Sequence, residues 1–334
     1  MTSSSSSPLE NPSQKAQVFI DGQAGTTGLE ITERLAARED IHLITLSDTE
    51  RKDINARRDA LLAADVAVLC LPDEAAREAV ALVQQSKRTN TRIIDASTAF
   101  RTDPAWVYGL PELGIEEGTS NRARIAAAEY VSNPGCYPQG FILSIRPLIE
   151  AGIISEKTAL RCHAVSGYSG GGRQMIEQHR GFDANQADTL NSQAYALDLA
   201  HKHVPEMQRY STSQVRPLFS PMVAHYYKGM LVQIPLFAHE VGHTSLEQIN
   251  GVLSERYADE PFVDVWPTQT SFGFLNPTAT NGTNTIEIMT CGQDEQINLI
   301  SRYDNLGKGA AGAAVQNLNI MLGCSEGAGL SSTT

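Results

Sequence analysis

A short apolar run, Ala16–Ile20 (AQVFI), passes directly into the glycine-rich DGQAGTTG and then into an amphipathic stretch, Leu29–Ala37. An unbroken apolar run suits a strand buried on both faces, and such strands belong to parallel sheets covered by helices. The same order recurs downstream. Ile41–Leu46 reads as a second strand, Ala60–Ala64 as the end of a helix and Asp65–Leu71 (DVAVLCL) as a third strand. Glu74–Gln85 then reads as a helix and Arg92–Ala96 (RIIDA) as a fourth strand. Strands alternating with helices require βαβ units and a parallel sheet.

Beyond about residue 155 the pattern changes. Ala159–Val165, Gly229–Pro235, Val263–Trp266, Thr285–Thr290 and Gln296–Arg302 read as strands, several of them alternating with period two. Alternation marks a sheet with one solvated face. Helices are expected near Pro138–Ala151 and Ser245–Tyr257, and an Ala- and Asn-rich helix over Gly307–Leu322. This half reads as a second, α+β domain.

Composition excludes several classes. With 334 residues and 41% apolar content the chain can bury a sizeable core. No apolar run reaches the ~18 residues of a membrane span. The net charge of −12 leaves no global basic field for nucleic acid, so an anionic substrate must be held by local groups. The five cysteines are odd in number, widely spaced and without a CxxC, which fits neither a disulfide framework nor a structural zinc site. A reducing, cytoplasmic setting is expected. Met1–Gln14 is rich in Ser and Pro with no Lys or Arg, unlike a secretory or transit peptide, and reads as a disordered tail.

Gly22, Gly25 and Gly28 close the first strand and open the first helix, with Thr26 and Thr27 between the last two. GxxGxxG is a variant of the dinucleotide fingerprint: the turn is tight, and backbone N–H groups at a helix N-terminus can approach a pyrophosphate. The fingerprint expects an acidic residue about 20 positions on, to hold the ribose 2′-OH of NAD. Asp48 stands there, beside Ser47, Arg51 and Lys52, a hydroxyl and two cations that suit the 2′-phosphate of NADP. The residues leave both cofactors open.

Asn133–Pro138 (NPGCYP) is the most informative hexapeptide. Pro134 and Gly135 force a sharp turn before an amphipathic helix, which puts Cys136 at or just before a helix N-terminus, where a thiolate is favoured. A thiolate attacks carbonyl carbon. Cys70 and Cys162 lie inside apolar strand patterns and read as inert. The partner segment is His201-Lys202-His203-Val204-Pro205-Glu206. Val204 precedes a proline, which biases it to extended backbone, and on an extended segment His201 and His203 share a face. Either could serve the thiol, and Glu206 could orient one of them.

These segments, together with DASTAFR (Asp95–Arg101), YGLPEL (Tyr108–Leu113), SGYSGGGR (Ser166–Arg173), HKHVPEM (His201–Met207) and NLGKGAAGAAVQNLN (Asn305–Asn319), make the chain resemble N-acetyl-gamma-glutamyl-phosphate reductases of the shorter-chain (type 2) subgroup, from Lys15 to Gly323. One departure is Gln139, where the family usually has Thr. The resemblance implies an α/β fold: a Rossmann-type NADP-binding domain (15–134 plus 306–324) and an α+β catalytic domain with a mixed sheet (135–305). It implies NADP(H) as cofactor, with Asn305 near its nicotinamide end, and Cys136 as the nucleophile. The HxHxPE segment supplies the acid/base histidine. The implied reaction forms a Cys136 thioester from N-acetyl-L-glutamyl 5-phosphate with release of phosphate, reduces it with hydride from NADPH, and ends as a histidine donates a proton and the semialdehyde leaves. Arg101, beside Ser97 and Thr98, and Arg173, beside Ser166, Ser169 and the glycines 170–172, are the candidate oxyanion holders. A homo-oligomer, dimer or tetramer, is expected, with no nucleic-acid, membrane or metal partner.

Four other readings compete. His239-Glu240-Val241-Gly242-His243 matches HExxH, which binds zinc only from a helix; here Thr244–Glu247 reads as a capping box starting the helix after it. Aspartate-semialdehyde dehydrogenase and N-acetylaminoadipyl-phosphate reductase share the architecture, the latter substrate longer by one methylene. A non-catalytic dinucleotide-binding redox sensor would need the glycine turn and Cys136 but no HxHxPE.

Overall fold

A computed structural model describes residues 15–86, 90–116, 118–181, 191–268 and 273–332, so the tail expected over 1–14 lies outside the described residues. The chain forms two compact units: one runs to Asn133 and takes back Ala313–Leu330, and the other comprises Pro134–Gly312 and Ser331–Thr334. The return to the first unit thus falls a few residues later than expected, at 313.

The first unit is built on a six-stranded parallel sheet: β1 (Ala16–Asp21), β2 (Ile41–Ile44), β3 (Val66–Leu69), β4 (Arg92–Asp95), β5 (Val107–Tyr108) and β6 (Tyr130–Ser132). Their order is β2-β1-β3-β4-β6-β5. The chain leaves β1 to one side and returns on the other as β3, which opens a crevice at the carboxyl ends of those two strands. Helices α1 (Thr26–Leu35), α2 (Ile54–Ala63), α3 (Asp73–Gln84) and α4 (Asn121–Ala127) make the connections. The helix α1 begins earlier than the apolar periodicity implied. Gly25 is its N-cap, and the poor helix formers Thr26, Thr27 and Gly28 make its first turn. The two- and three-residue strands β5 and β6 are too short to leave a periodic signal.

The second unit holds a seven-stranded mixed sheet. Its strands are β7 (Arg161–Gly167), β8 (Ser192–Ala194), β9 (Leu218–Ala224), β10 (Met230–Phe237), β11 (Val263–Val265), β12 (Ile286–Gln293) and β13 (Gln296–Tyr303). They lie in the order β8-β9-β7-β10-β13-β12-β11, with β9/β7 and β12/β11 parallel and the remaining pairs antiparallel. The expected period two is present in β13, where Ile297, Leu299 and Ser301 are buried and Asn298 and Ile300 half-buried; β9, with Phe219, Pro221 and Val223 buried and Leu218 and Met222 exposed, was not among the expected strands. The buried face carries α5 (Cys136–Glu150) and α8 (Leu246–Arg256). Besides these, α6 (Gly172–Arg180) and α7 (Val204–Tyr210) interrupt the strands, and α9 (Gly312–Leu322) follows a π-helical turn, Gly307–Ala311.

Helix α5 is buried from Tyr137 to Ile149. It lies so close to the sheet that a Cβ on Gly140 would come within 2.8 Å of the Tyr303 hydroxyl. Pro147 sits inside it and cannot donate to the Leu143 carbonyl. That carbonyl accepts instead from the Tyr257 hydroxyl, at 2.7 Å. The Asn-rich α9 is equally buried and uses its amides as clamps: Asn317 donates to the Gly109 carbonyl (2.8 Å) and Gln316 to Glu112 (2.8 Å), both within the first unit.

Candidate active site

The glycine turn of the first unit has the stereochemistry of a phosphate cradle. Gly22 has φ +88°, and a Cβ there would lie 2.3 Å from the Cys70 carbonyl oxygen. A Cβ on Gly28 would lie 2.5 Å from the Gly22 carbonyl oxygen. The Gly25 N–H donates to that same carbonyl (2.9 Å), which closes the turn. No side chain caps α1, so the N–H groups of Thr26, Thr27 and Gly28 face outward at the positive end of the helix. These features fit a pyrophosphate. Burial and the carboxylates of Asp95 and Asp21 push the neighbouring Cys70 thiol up to about 12, in keeping with an inert residue.

At the end of β2, Ser47 gives both its N–H (2.8 Å) and its hydroxyl (2.6 Å) to Glu50, which starts a 3₁₀ turn, Glu50–Lys52. Arg51 pairs with the exposed Asp48. Hydroxyl, cations and carboxylates therefore share one surface. Beyond β4, Asp95 accepts from the Ser97 hydroxyl (2.6 Å), and the buried Arg101 donates to the Ala96 carbonyl (2.9 Å). Burial raises the Asp95 carboxyl to about 6 against the opposing effect of Ser97 and Arg101.

In the second unit Cys136 is the first residue of α5, with Gly135 as N-cap. No side chain caps this end. The Tyr303 hydroxyl donates to the Cys136 carbonyl (2.7 Å) and accepts the Gly140 N–H (3.1 Å), which fixes the first turn. A Cβ on Gly309 would lie 3.1 Å from the Cys136 Cβ, so the π-helical turn approaches as closely as glycine permits. Gln139 donates its amide N–H to the Lys308 carbonyl in that turn (2.7 Å).

The His201–Glu206 segment is not extended. His203 has helical backbone angles and caps α7, with Pro205 in the first helical turn. A proline there loses no bond, since first-turn N–H groups have no helical acceptor. The two rings still converge: His201 and His203 lie 4.7 Å apart, and 5.9 and 5.8 Å from the Tyr137 ring. The His201 Nδ1 accepts the backbone N–H of His203 (3.1 Å). An N–H can only donate, so neutral His201 carries its proton on Nε2. Glu206, buried in α7, accepts the N–H of Gly135 at 2.9 Å, a bond that ties it to the cysteine turn. The Tyr195 hydroxyl donates to that of Tyr137 (3.0 Å). Tyr137, Tyr195 and Tyr303 escaped the sequence reading. Only the position of Tyr137 beside Cys136 signalled a role.

Ser166 ends β7 and Ser169 lies in the turn that follows. Both amide ends of the buried Asn305 are engaged: Oδ1 accepts the Gly229 N–H (2.7 Å) and Nδ2 donates to Ser169 (2.9 Å). Asn305 thus braces the serine loop, and a Cβ on Gly170 would meet Ser166 Oγ and Asn305 Nδ2 at 3.3 and 3.4 Å. Arg173 is not brought to this group. It stands in solvent on α6 and pairs with Glu177 at 2.6 Å. The HExxH segment forms a 3₁₀ turn, Ala238–Val241, and His243 has φ +58°, so the zinc-binding helical face does not exist. The next helix is capped by Ser245 and Gln248, one residue later than expected.

A glycine cradle on a parallel sheet and a helix-terminal cysteine on a mixed sheet define the phosphorylating aldehyde dehydrogenase type, and the comparisons agree. The profile described as "Semialdehyde dehydrogenase, NAD binding domain" matches residues 17–120, and "Semialdehyde dehydrogenase, dimerisation domain" matches 136–305. Aspartate semialdehyde dehydrogenase II from Vibrio cholerae, solved as a complex with ASA, superposes with a TM-score of 0.69 at 17% identity, covering 93% of this chain and 99% of that one. The enzyme from Francisella tularensis gives 0.68 at 15%, covering 92% and 99%. Within this class the chain belongs to the N-acetyl-gamma-glutamyl-phosphate reductase family. The Nostoc sp. protein named N-acetyl-gamma-glutamyl-phosphate reductase 2 is 46% identical over 95% of this chain and 99% of its own. The Brucella ovis reductase is 46% identical over 92% and 99%.

Proposed function

We propose that this protein reduces N-acetyl-L-glutamyl 5-phosphate to N-acetyl-L-glutamate 5-semialdehyde and phosphate through a thioester on Cys136, with NADPH as reductant. The placement of Cys136 at the uncapped N-terminus of α5 carries this reading, and the names of relatives 46% identical support the substrate. The Cys136 thiolate attacks the acyl carbon, and the C–O bond to phosphate breaks. NADPH held by the glycine turn would supply the hydride needed to reduce the thioester to a hemithioacetal. As that species forms and collapses, expelling the thiolate, His203 holds the proton exchanged with the substrate oxygen. His203 is assigned this role from its place at the start of α7 against the Tyr137 ring, with His201, its Nδ1 held by the His203 N–H, beside it. The loop of Ser166, Ser169 and Gly170, braced by Asn305, offers donors to oxyanions, and Arg101 is the buried cation proposed for the substrate's charge. Arg173 is left out of this set. Gly22, Gly25, Thr26, Thr27 and Gly28 would hold the pyrophosphate, and Ser47 and Arg51 the 2′-phosphate.

We place the enzyme in the cytoplasm as a homodimer formed through the second unit, whose open sheet face exposes Leu218 and Met222. The test runs the reaction backwards: phosphate-dependent reduction of NADP by N-acetylglutamate semialdehyde, for the wild type and Cys136→Ser. Aspartate semialdehyde and N-acetylaminoadipate semialdehyde serve as competitors. Turnover lost in Cys136→Ser, with the acetylglutamate substrate preferred, is expected. Activity that survives the substitution would break the thioester mechanism, and preference for another aldehyde would reassign the substrate.

A further inference from the structure

Cys136 opens α5 with no side-chain cap, and the positive end of a helix favours a thiolate. Thiols at helix N-termini reach pKa values as low as about 3.5. Thiolate nucleophilicity falls with basicity, so the best attacking thiol has a pKa near the working pH. A buried carboxylate opposes the helix here. Glu206 is 1% exposed, and its Oε2 accepts the N–H of Gly135, the residue just before Cys136, at 2.9 Å. A bond from an ionised acceptor to a buried N–H is among the stronger hydrogen bonds. It joins α7 to the turn that opens α5 within one unit.

We propose that Glu206 is a positioning residue for the nucleophile: its carboxylate pins the Gly135 turn, and its charge keeps the Cys136 thiolate basic enough to attack. The inference rests on Cys136 being the nucleophile and is independent of the substrate. Other groups surround the same turn. His201 and His203 precede α7 and gather round Tyr137. The phenols of Tyr137, Tyr195 and Tyr303 feel the Cys136 charge, but burial above all raises them beyond the usual phenol range, so they stay neutral. Lys308 lies buried in the π-helical turn, 6.0 Å from the Phe262 ring. Asp304, buried just before that turn, lies 3.6 Å from Lys228; of the two carboxylates, Glu206 is the one whose backbone partner adjoins the thiol's own residue.

The test is the rate of iodoacetamide alkylation of the full chain against pH, with Cys136→Ser subtracting the other cysteines. Glu206→Gln keeps an oxygen for the Gly135 N–H and removes only the charge. It should move the alkylation midpoint about one pH unit lower, the effect of deleting a like charge at close range. The plateau rate should fall about threefold, following the lower basicity. Glu206→Ala should lower the midpoint too and in addition depress kcat by releasing the turn. An unmoved or raised midpoint in a Glu206→Gln protein that melts like the wild type overturns the proposal. Should that variant fail to fold, the thiolate absorbance of the wild type, read against Cys136→Ser, decides. A midpoint within about a unit or two of neutral supports the proposal, and one near the ~3.5 limit defeats it. Wild-type alkylation no faster than that of a free thiol would instead remove the nucleophile reading itself.

Discussion

Replacing Tyr257 with Phe should destabilise the second unit by about 2 kcal/mol through a single lost oxygen. The Leu143 carbonyl lies in a helix buried along most of its length, and Leu143 is 1% exposed. Its helical donor would be residue 147, but Pro147 has no N–H. The Tyr257 hydroxyl fills the gap at 2.7 Å from a ring only 4% exposed. Phenylalanine keeps the ring and leaves a buried acceptor unsatisfied, a loss of about 1–3 kcal/mol. At roughly 2–4 °C per kcal/mol for a unit of this size, the melting midpoint should fall by about 4–8 °C. The cycle with Pro147→Ala isolates the cause, because alanine restores the helical donor. In that background Tyr257→Phe should cost less by about 1 kcal/mol, a coupling expected of residues that share one partner. Thermal and urea unfolding of the four proteins, with unchanged m-values, would measure it. Equal costs in both backgrounds, or a Tyr257→Phe protein as stable as the wild type, would refute the argument that the hydroxyl substitutes for the missing N–H.

Two further outcomes test the first unit. The Asp95 carboxyl, raised from 3.8 to about 6 chiefly by burial, binds a proton more tightly folded than unfolded. It therefore costs stability above pH ~6, a cost relieved as the pH falls to ~4, with a ceiling of about 3 kcal/mol at ~1.36 kcal/mol per pH unit. Asp95→Asn should accordingly gain more over the wild type at pH 8 than at pH 4.5 in thermal melts, and the opposite order would overturn the assignment. Gly22→Ala should weaken NADPH binding at least tenfold and lower the melting midpoint, because its Cβ meets the Cys70 carbonyl at 2.3 Å and its φ is +88°. Gly25→Ala, at φ −78° with the nearest atom 3.3 Å away, should be much milder, and a fluorescence titration giving the reverse ranking would contradict the cradle geometry.

Local pattern carried the long elements. β1, β3, β4, α3 and α5 were legible because apolar runs and 3.6-residue periodicity survive over many residues. The short strands β5, β6 and β8 were not, since two or three residues hold no period, and neither was the seven-residue β9, which Pro221 interrupts. The start of α1 was hidden by Thr and Gly, which have low helix propensity but serve the turn. The histidine segment misled because the bias before proline yields in a first helical turn, where the missing N–H costs nothing.

The sequence by itself determined the βαβ half, the mixed-sheet half, the glycine turn, the place of Cys136 at the start of a helix and the HxHxPE pair of histidines. Each depends on neighbours a few residues apart, so spacing and residue type express it. The tertiary structure decided which groups meet: Glu206 with the Gly135 N–H, Tyr257 with the carbonyl left by Pro147, Asn305 with Ser169, and Arg173 with solvent and Glu177. Three of these four pairings join residues more than seventy positions apart. A hydrogen bond constrains distance and direction in space, and only packing brings such partners within reach.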